Sequence, residues 1–469
     1  MDRRTAVLNV FLYLLRNMSD RLPTSLKFLL TACFIGLASL LQAQDGFVLE
    51  EGKVKSKVEF ELVNNLVVIP VEVNGKELSF LLDTGVNYTL LFSLSDTDSL
   101  EINNVSPVKI KGLGGGGDIQ ALKSLNNQVK IGDATDADHT IFVIFDQRIN
   151  FSPRMGIPVH GVIGYDFFKN FVVRTEYKSE VLTFYDPESY GTKNCKSCAN
   201  FDLRLFQGKP YVELLAGTPH RTEKVTLLVD SGASDALWLF DEAIGIKEDP
   251  PNYFEDFLGL GLSGGVFGKR SKLPYVTLGK YRLERVNVSY PDSLALKNLE
   301  TFAERDGTLG SDILRRFTVV MDYPGRKMSL KRNRYFNDPF HYNMAGITLE
   351  HDGVIPVKDV VEGTGRSFKL DGNTSEATSG GVRITIAPVF KFFLAPKFVV
   401  AEVREGSPAH EAGIKQGDEV TQINNQPAYR YSLAEVAELF SSKAGRKVMI
   451  EIDREGNRMK KRLILKEVL

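Results

Sequence analysis

Along most of the chain the apolar positions fall in short runs closed by turn residues, and few stretches keep a helical period. Residues 58–63 and 66–73 flank Asn64-Asn65, which predicts a hairpin with a tight turn. A second turn at Asn74-Gly75 leads into an apolar strand over 78–82 that ends on Asp83. The plan returns downstream: residues 203–206, a turn at Gln207-Gly208, residues 211–215, a longer loop over 216–224, then an apolar strand over 226–229 ending on Asp230. Near the C-terminus, Ser432 and Glu435 form a capping box that opens a helix running through Phe440. Residues 448–452 and 462–465, with a turn at Glu455-Gly456-Asn457, predict a closing hairpin.

Both acid-terminated strands continue alike, as Asp83-Thr84-Gly85 and Asp230-Ser231-Gly232. Asp83 lies 81 residues before Gly164 of Val162-Ile163-Gly164, and Asp230 lies 80 before Gly310 of Thr308-Leu309-Gly310. Residues 164–173 run beside 310–319, and both continue to a strand and turn, at Phe184-Tyr185-Asp186-Pro187 and Met321-Asp322-Tyr323-Pro324. Glycine-rich stretches at 112–117 and 259–265 occupy the interval, with Leu113 and Leu260 each 30 residues after their acid. Matched offsets of this kind make an internal duplication, and the repeat decides the architecture.

A lone Asp83 would read as a turn aspartate satisfying its own backbone. Paired acids read differently. Two like charges a few Å apart in a partly desolvated site cannot both ionise, so the pair holds one proton and offers one base and one acid. That pair can activate water against an amide carbonyl without metal, cofactor or covalent intermediate.

The duplicated triplets and glycine elements resemble two-lobed aspartic proteases of the pepsin and retropepsin kind, over roughly residues 50 to 335. The resemblance implies a mainly β, bilobal aspartic-protease fold of two homologous β-barrel-like lobes. Asp83 and Asp230 would be the catalytic dyad. Thr84 and Ser231 would bond across the lobes and brace both loops, and Gly85 and Gly232 would let backbone N–H groups approach the carboxylates. The glycine-rich hairpins, through Leu113, Gly114 and Gly115 in one half and Leu260 and Gly261 in the other, would close over a peptide as flaps. Neither hairpin carries the tyrosine usual in pepsin-like flaps, which shifts the likeness toward retropepsins. Val86 follows Gly85 where Ala or Ser is usual; Ala233 fits. A nucleotide-binding reading of the glycines fails, because no helix is expected after them and no lysine is placed for phosphate.

The chain length of 469 suggests about three domains, and 43% hydrophobic with 25% charged residues is a globular composition. Net charge −1 excludes a global pull toward nucleic acid or anionic membrane. Residues 28–41 form an uncharged run of 14 after Lys27, short for a spanning helix and suited to a secretory segment cleaved near Ala43. Met18 could then be the start of a conventional signal. Leu30-Thr31-Ala32-Cys33 also fits a bacterial lipidation box, and an uncleaved anchor is the third alternative. An exported protein of the periplasm or cell envelope of a Gram-negative bacterium is expected. Cys195 and Cys198 lie in a polar stretch between the halves, as a loop staple or as two thiols. A zinc site would need about four ligands, and no second pair exists.

Beyond Pro339 the composition changes. Glu405-Gly406-Ser407-Pro408-Ala409, Ala412-Gly413, Gly417-Asp418 and Ile423-Asn424, in that order, resemble a PDZ domain of bacterial envelope proteases. The resemblance places the carboxylate-binding loop at Met344, Ala345, Gly346 and Ile347, with a peptide pairing on the strand that follows. Residues 362–381, rich in Gly, Ser and Thr, look inserted. The expected domains are a signal peptide at 1–43, an N-terminal lobe at 44–190, a linker at 191–200, a C-terminal lobe at 201–338, and a PDZ domain at 339–469 with an insertion near 350–390. The expected function is an exported aspartic endopeptidase, monomeric with both lobes in one chain, acting on peptide or protein substrates. Its PDZ domain would bind a C-terminal or internal peptide for recruitment or regulation. The competing reading is a catalytically weak or inactive peptide-binding scaffold of the envelope.

Overall fold

The computed structural model describes residues 46–92, 100–114, 117–146, 149–191, 195–218, 221–240, 250, 252–296, 302, 304–360, 367–369, 383–385 and 389–469. The expected signal segment lies outside them. Strands account for 54% and helix for 8%, so the mainly β expectation holds.

Two sheets of one design carry the two halves. In the first, Lys76–Leu82 and Thr89–Leu91 flank the short strand Gly161–Ile163, which runs parallel to the former and antiparallel to the latter. In the second, Thr222–Val229 and Leu237–Leu239 flank Gly307–Leu309 with the same directions. Long hairpins follow in both, Ile119–Ile131 with Ala134–Ile144 and Gly264–Leu278 with Tyr281–Pro291. Their first arms return to pair with Leu66–Val73 and Lys209–Gly217, so each sheet curls back on itself. The duplication seen in the residue spacing is therefore a duplication of topology.

Local turn chemistry sets the register. Asn64 and Asn65 have φ of 50° and 70°, Asn74 and Gly75 48° and 86°, and Gln207 and Gly208 48° and 76°. Two consecutive positive φ values match the right-handed twist of the strands they join. The long loop expected over 216–224 is a correction: strands pair as far as Gly217 and Thr222, and Thr218 N donates to Arg221 O at 2.8 Å beyond them. The polar residues 222–224 extend the ladder through backbone pairing outside the apolar run.

A third sheet joins the halves, in the order Ala199–Asp202, Lys327–Arg332, Phe317–Asp322, Val172–Glu176, Val181–Tyr185, Lys55–Glu59. At its centre Val172–Glu176 of the first half pairs antiparallel with Phe317–Asp322 of the second, Arg174 opposite Val320. One buried cluster runs through both lobes and this sheet, including Phe80, Phe167, Phe184, Leu227 and Phe317. Burial on that scale fixes the lobes against each other through the hydrophobic effect. Cys195 and Cys198 form a disulfide beside the connector.

The chain leaves the second lobe past Arg316, which is fully buried. Its guanidinium donates to the Asp312, Tyr335 and Asp338 carbonyls and stacks 3.6 Å from the Phe340 ring centre. The last sheet runs Ile347–Val360, Phe390–Val403, Glu419–Ile423, Lys447–Arg454, Asn457–Ile464 around its own core. Helix Leu433–Phe440 carries the expected capping box, with Ser432 and Glu435 each bonding the other's backbone N–H. Residues 354–360 and 390–396 pair as antiparallel arms of Ile347–Val360 and Phe390–Val403, and the expected insertion at 362–381 lies outside the described residues apart from 367–369.

Candidate active site

Asp83 and Asp230 each stand one residue beyond a buried strand. The Asp83 N–H donates to Ile163 O at 2.9 Å and the Asp230 N–H to Leu309 O at 3.0 Å, so the short central strands anchor both loops identically. Gly164, which follows the first of these strands, has no room for a side chain, because a Cβ there would collide with Asp83 O.

The two loops interlock. Thr84 Oγ1 donates to Val229 O at 2.7 Å and accepts from Ser231 N at 3.0 Å. Ser231 Oγ donates to Leu82 O at 2.8 Å and accepts from Thr84 N at 3.0 Å. Both hydroxyls are buried and each satisfies one donor and one acceptor of the opposite lobe. The glycines of the triplets meet the opposite carboxyl: a Cβ on Gly85 would lie 2.8 Å from the Asp230 carboxyl, and one on Gly232 would collide with that of Asp83. Only glycine permits this approach. Their N–H groups also bond the preceding acid, Gly85 N to Asp83 Oδ1 at 2.6 Å and Gly232 N to Asp230 Oδ1 at 2.9 Å.

This geometry sets each carboxyl against the glycine of the opposite triplet, so the two acids face one another across the joint. Although Asp83 keeps some access to solvent, its carboxyl is pushed well above the usual carboxylate range, first by burial and then by the Asp230 charge; the Gly85 N–H and the more distant Lys209 oppose this. A pair so placed can hold one proton between two acids.

Lys209, Tyr323 and Tyr165 were not singled out by sequence. Tyr323 stacks on Phe168 at 5.2 Å and lies 6.2 Å from the Tyr165 ring. Its buried hydroxyl has no hydrogen-bond partner among the described residues, and burial, then the Asp83 and Asp230 charges, hold it well above the usual phenol range. It stands in the strand-turn repeat, but nothing in its spacing marks it as a neighbour of the dyad.

The glycine-rich tips meet one another. Ser263 N donates to Leu113 O at 2.9 Å, and Gly112 N to Ser263 Oγ at 3.3 Å. Leu113 packs on Trp238, Leu258, Val266 and Ala295 of the second lobe, while Leu262 packs against the outer cluster of the first. Gly114 backs directly on Ser263 and Gly264, and Gly261 on Leu113 O. Leu260 pairs with Gly265 within its own hairpin, and Gly115 lies outside the described residues.

Residues 69–167, which include the first triplet and its glycine partner, match the family model described as aspartyl protease. The chain carries an aspartyl protease domain. Residues 399–454 match the PDZ domain family. The crystal structure of an aspartic proteinase from Irpex lacteus is similar at 15% identity and a TM-score of 0.41, covering 61% of this chain and 99% of that one. No curated protein matches the chain.

In the PDZ domain, Met344, Ala345 and Ile347 are buried with the core, and Gly346 has φ of 71°. The expected loop does head the edge strand Ile347–Val360. Its N–H groups are engaged: Asn343 Oδ1 accepts from Ala345 N at 3.1 Å and Gly346 N at 2.9 Å.

Proposed function

We propose that the aspartyl protease domain is an active, exported endopeptidase, cutting peptides held extended between the lobes, with the PDZ domain recruiting or regulating. The observation that carries this reading is the meeting of Asp83 and Asp230 across the interlocked triplets, with Asp83 pushed toward its protonated form.

The ionised member of the pair takes a proton from water as the oxygen attacks the scissile carbonyl carbon. The protonated member donates to the carbonyl oxygen, so a neutral tetrahedral diol forms. Its collapse breaks the C–N bond. One carboxyl delivers a proton to the leaving amine while the other takes one back from a hydroxyl, restoring the pair. The paired tips around Leu113 and Leu260 would cover the bound peptide and exclude bulk water.

The test is cleavage mapping on a peptide library at acidic and neutral pH with the mature chain, against Asp83→Asn and Asp230→Asn. Cuts that vanish in both variants support the reading. Cleavage retained near the unmodified rate in either variant, or none in the unmodified chain at any pH, sinks it in favour of the scaffold.

A further inference from the structure

A PDZ domain takes peptides between an edge strand and a helix. Here those walls are Ile347–Val360, paired among the described residues only with Phe390–Val403, and Leu433–Phe440. Both touch the same piece of the first lobe. The helical turn Ser152–Met155 lies against the strand and the helix. Next to it, Gly156 has φ of 75° and packs on the helix, where a Cβ would stand 3.2 Å from Leu433 Cδ1. Met155, Phe151 and Ile157 face the first-lobe cluster, which leaves Arg154 to face the PDZ domain.

Arg154 is held by one acid of the edge strand, Glu350, and one of the strand paired with it, Glu402. Its Nε is 3.3 Å from Glu350 Oε2 and its Nη2 3.1 Å from Glu402 Oε1, with the guanidinium 4.6 Å from the Phe257 ring centre. The loop above is filled as well. Asn343 Oδ1 takes the Ala345 and Gly346 N–H groups, and Asn343 Nδ2 donates to Ile347 O at 2.8 Å. A chain-end carboxylate would have to displace Asn343, whose backbone O also takes a bond from Arg404 Nη2 at 2.9 Å. An arginine side chain needs only to replace Arg154 between Glu350 and Glu402 and leaves that loop intact.

We propose that this PDZ groove is a site for internal, arginine-bearing segments rather than free chain ends, filled in the resting chain by its own residues 150–158. An external segment binds by displacing that turn. This deepens the PDZ part of the proposed function and does not depend on the aspartate pair. Residues 157–160 connect the turn to Gly161–Ile163, the strand that holds the Asp83 N–H, so groove and dyad loop share one short connection. Because the resident segment is tethered, it competes at an effective concentration on the order of millimolar.

The test uses the full chain with Asp83→Asn, which prevents cleavage of probes, and fluorescence anisotropy. Three labelled peptides are compared: residues 150–158 with blocked ends, the same peptide with Glu in place of its Arg, and a peptide with an apolar last residue and a free carboxylate. The chain with Arg154 should bind all three weakly. Arg154→Glu should free the groove and tighten binding of the arginine peptide at least tenfold, with the other two at least tenfold weaker than it. Adding Glu350→Arg should restore the internal pair and close the groove again. Unchanged binding of the arginine peptide by Arg154→Glu, or preference for the free carboxylate, overturns the proposal. Hydrogen exchange on the chain with Arg154 intact removes any dependence on that variant's folding. Millimolar arginine peptide should speed exchange at 151–157 and leave helix Leu433–Phe440 protected; no change at 151–157 also overturns it.

Discussion

Ionising Asp83 costs folding free energy, because both burial and the Asp230 charge oppose it. Because the folded value is raised, the folded state keeps a proton that the unfolded carboxyl gives up above about 3.9, so the group lowers stability increasingly as pH rises above that value and costs nothing below it. Asp83→Asn should therefore raise the melting temperature at pH 7, with the gain fading toward pH 4, while kcat/KM falls at least about 100-fold. Calorimetry at both pH values, beside peptide turnover, checks the two halves of this expectation. The hydroxyls behave oppositely. Thr84→Val keeps the shape but strands Val229 O and Ser231 N in a buried joint, for a cost of about 1–3 kcal/mol in urea unfolding; Thr84→Ser should lose much less.

Between strands, Asp136 and His139 of Ala134–Ile144 reach Thr89 of Thr89–Leu91. His139 Nδ1 lies 2.7 Å from Asp136 Oδ2 and His139 Nε2 2.7 Å from Thr89 Oγ1, all three residues buried. Burial pushes Asp136 up, but bonding to His139 and its charge outweigh this and hold it below the usual range. A depressed carboxylate stabilises the fold above its unfolded value and loses that contribution as pH falls through the folded one. Asp136→Asn should thus cost about 1–3 kcal/mol at pH 7. The gap from the unmodified chain should close below pH 4 in denaturant titrations. Sequence could not reveal this triad, since its members sit in a polar-looking run and meet only through strand pairing fixed elsewhere. Hairpins were legible because Asn64-Asn65 and Asn74-Gly75 state their geometry locally, and the dyad because a repeat displays its register twice. The joining sheet was not, for Lys55–Glu59 alternates like any half-exposed strand and its partner lies over a hundred residues away.

At the scale of the whole molecule, a PDZ domain with its own core is tied to the protease lobes by a polar joint. Tyr342, buried, donates to Ser271 O at 2.6 Å and lies 3.0 Å from Val288 O, while Asn287 Nδ2 donates to His341 O at 3.1 Å. Arg404 of the PDZ sheet lies over the Phe254 ring at 4.7 Å and 4.0 Å from Asp256, which Arg270 also binds. Lys272 adds a titratable link. Its Nζ donates to Phe340 O at 2.6 Å, and burial, then the Arg285 charge, lower its value to about 8. In the unfolded chain the same amine holds its proton to about 10.4. Between these values the unfolded state binds more protons, so this group makes stability rise with pH across that window and makes it fall again as pH drops through 8. Lys272→Met keeps the apolar stem and removes the titration. Urea midpoints at pH 7.5, 9 and 10 should therefore show the unmodified chain gaining on Lys272→Met as pH rises; a constant difference would mean that the amine is not desolvated at this joint. Because Phe340 belongs to the core shared by the lobes and leads directly into the PDZ domain, the same series should move the transition of both parts together.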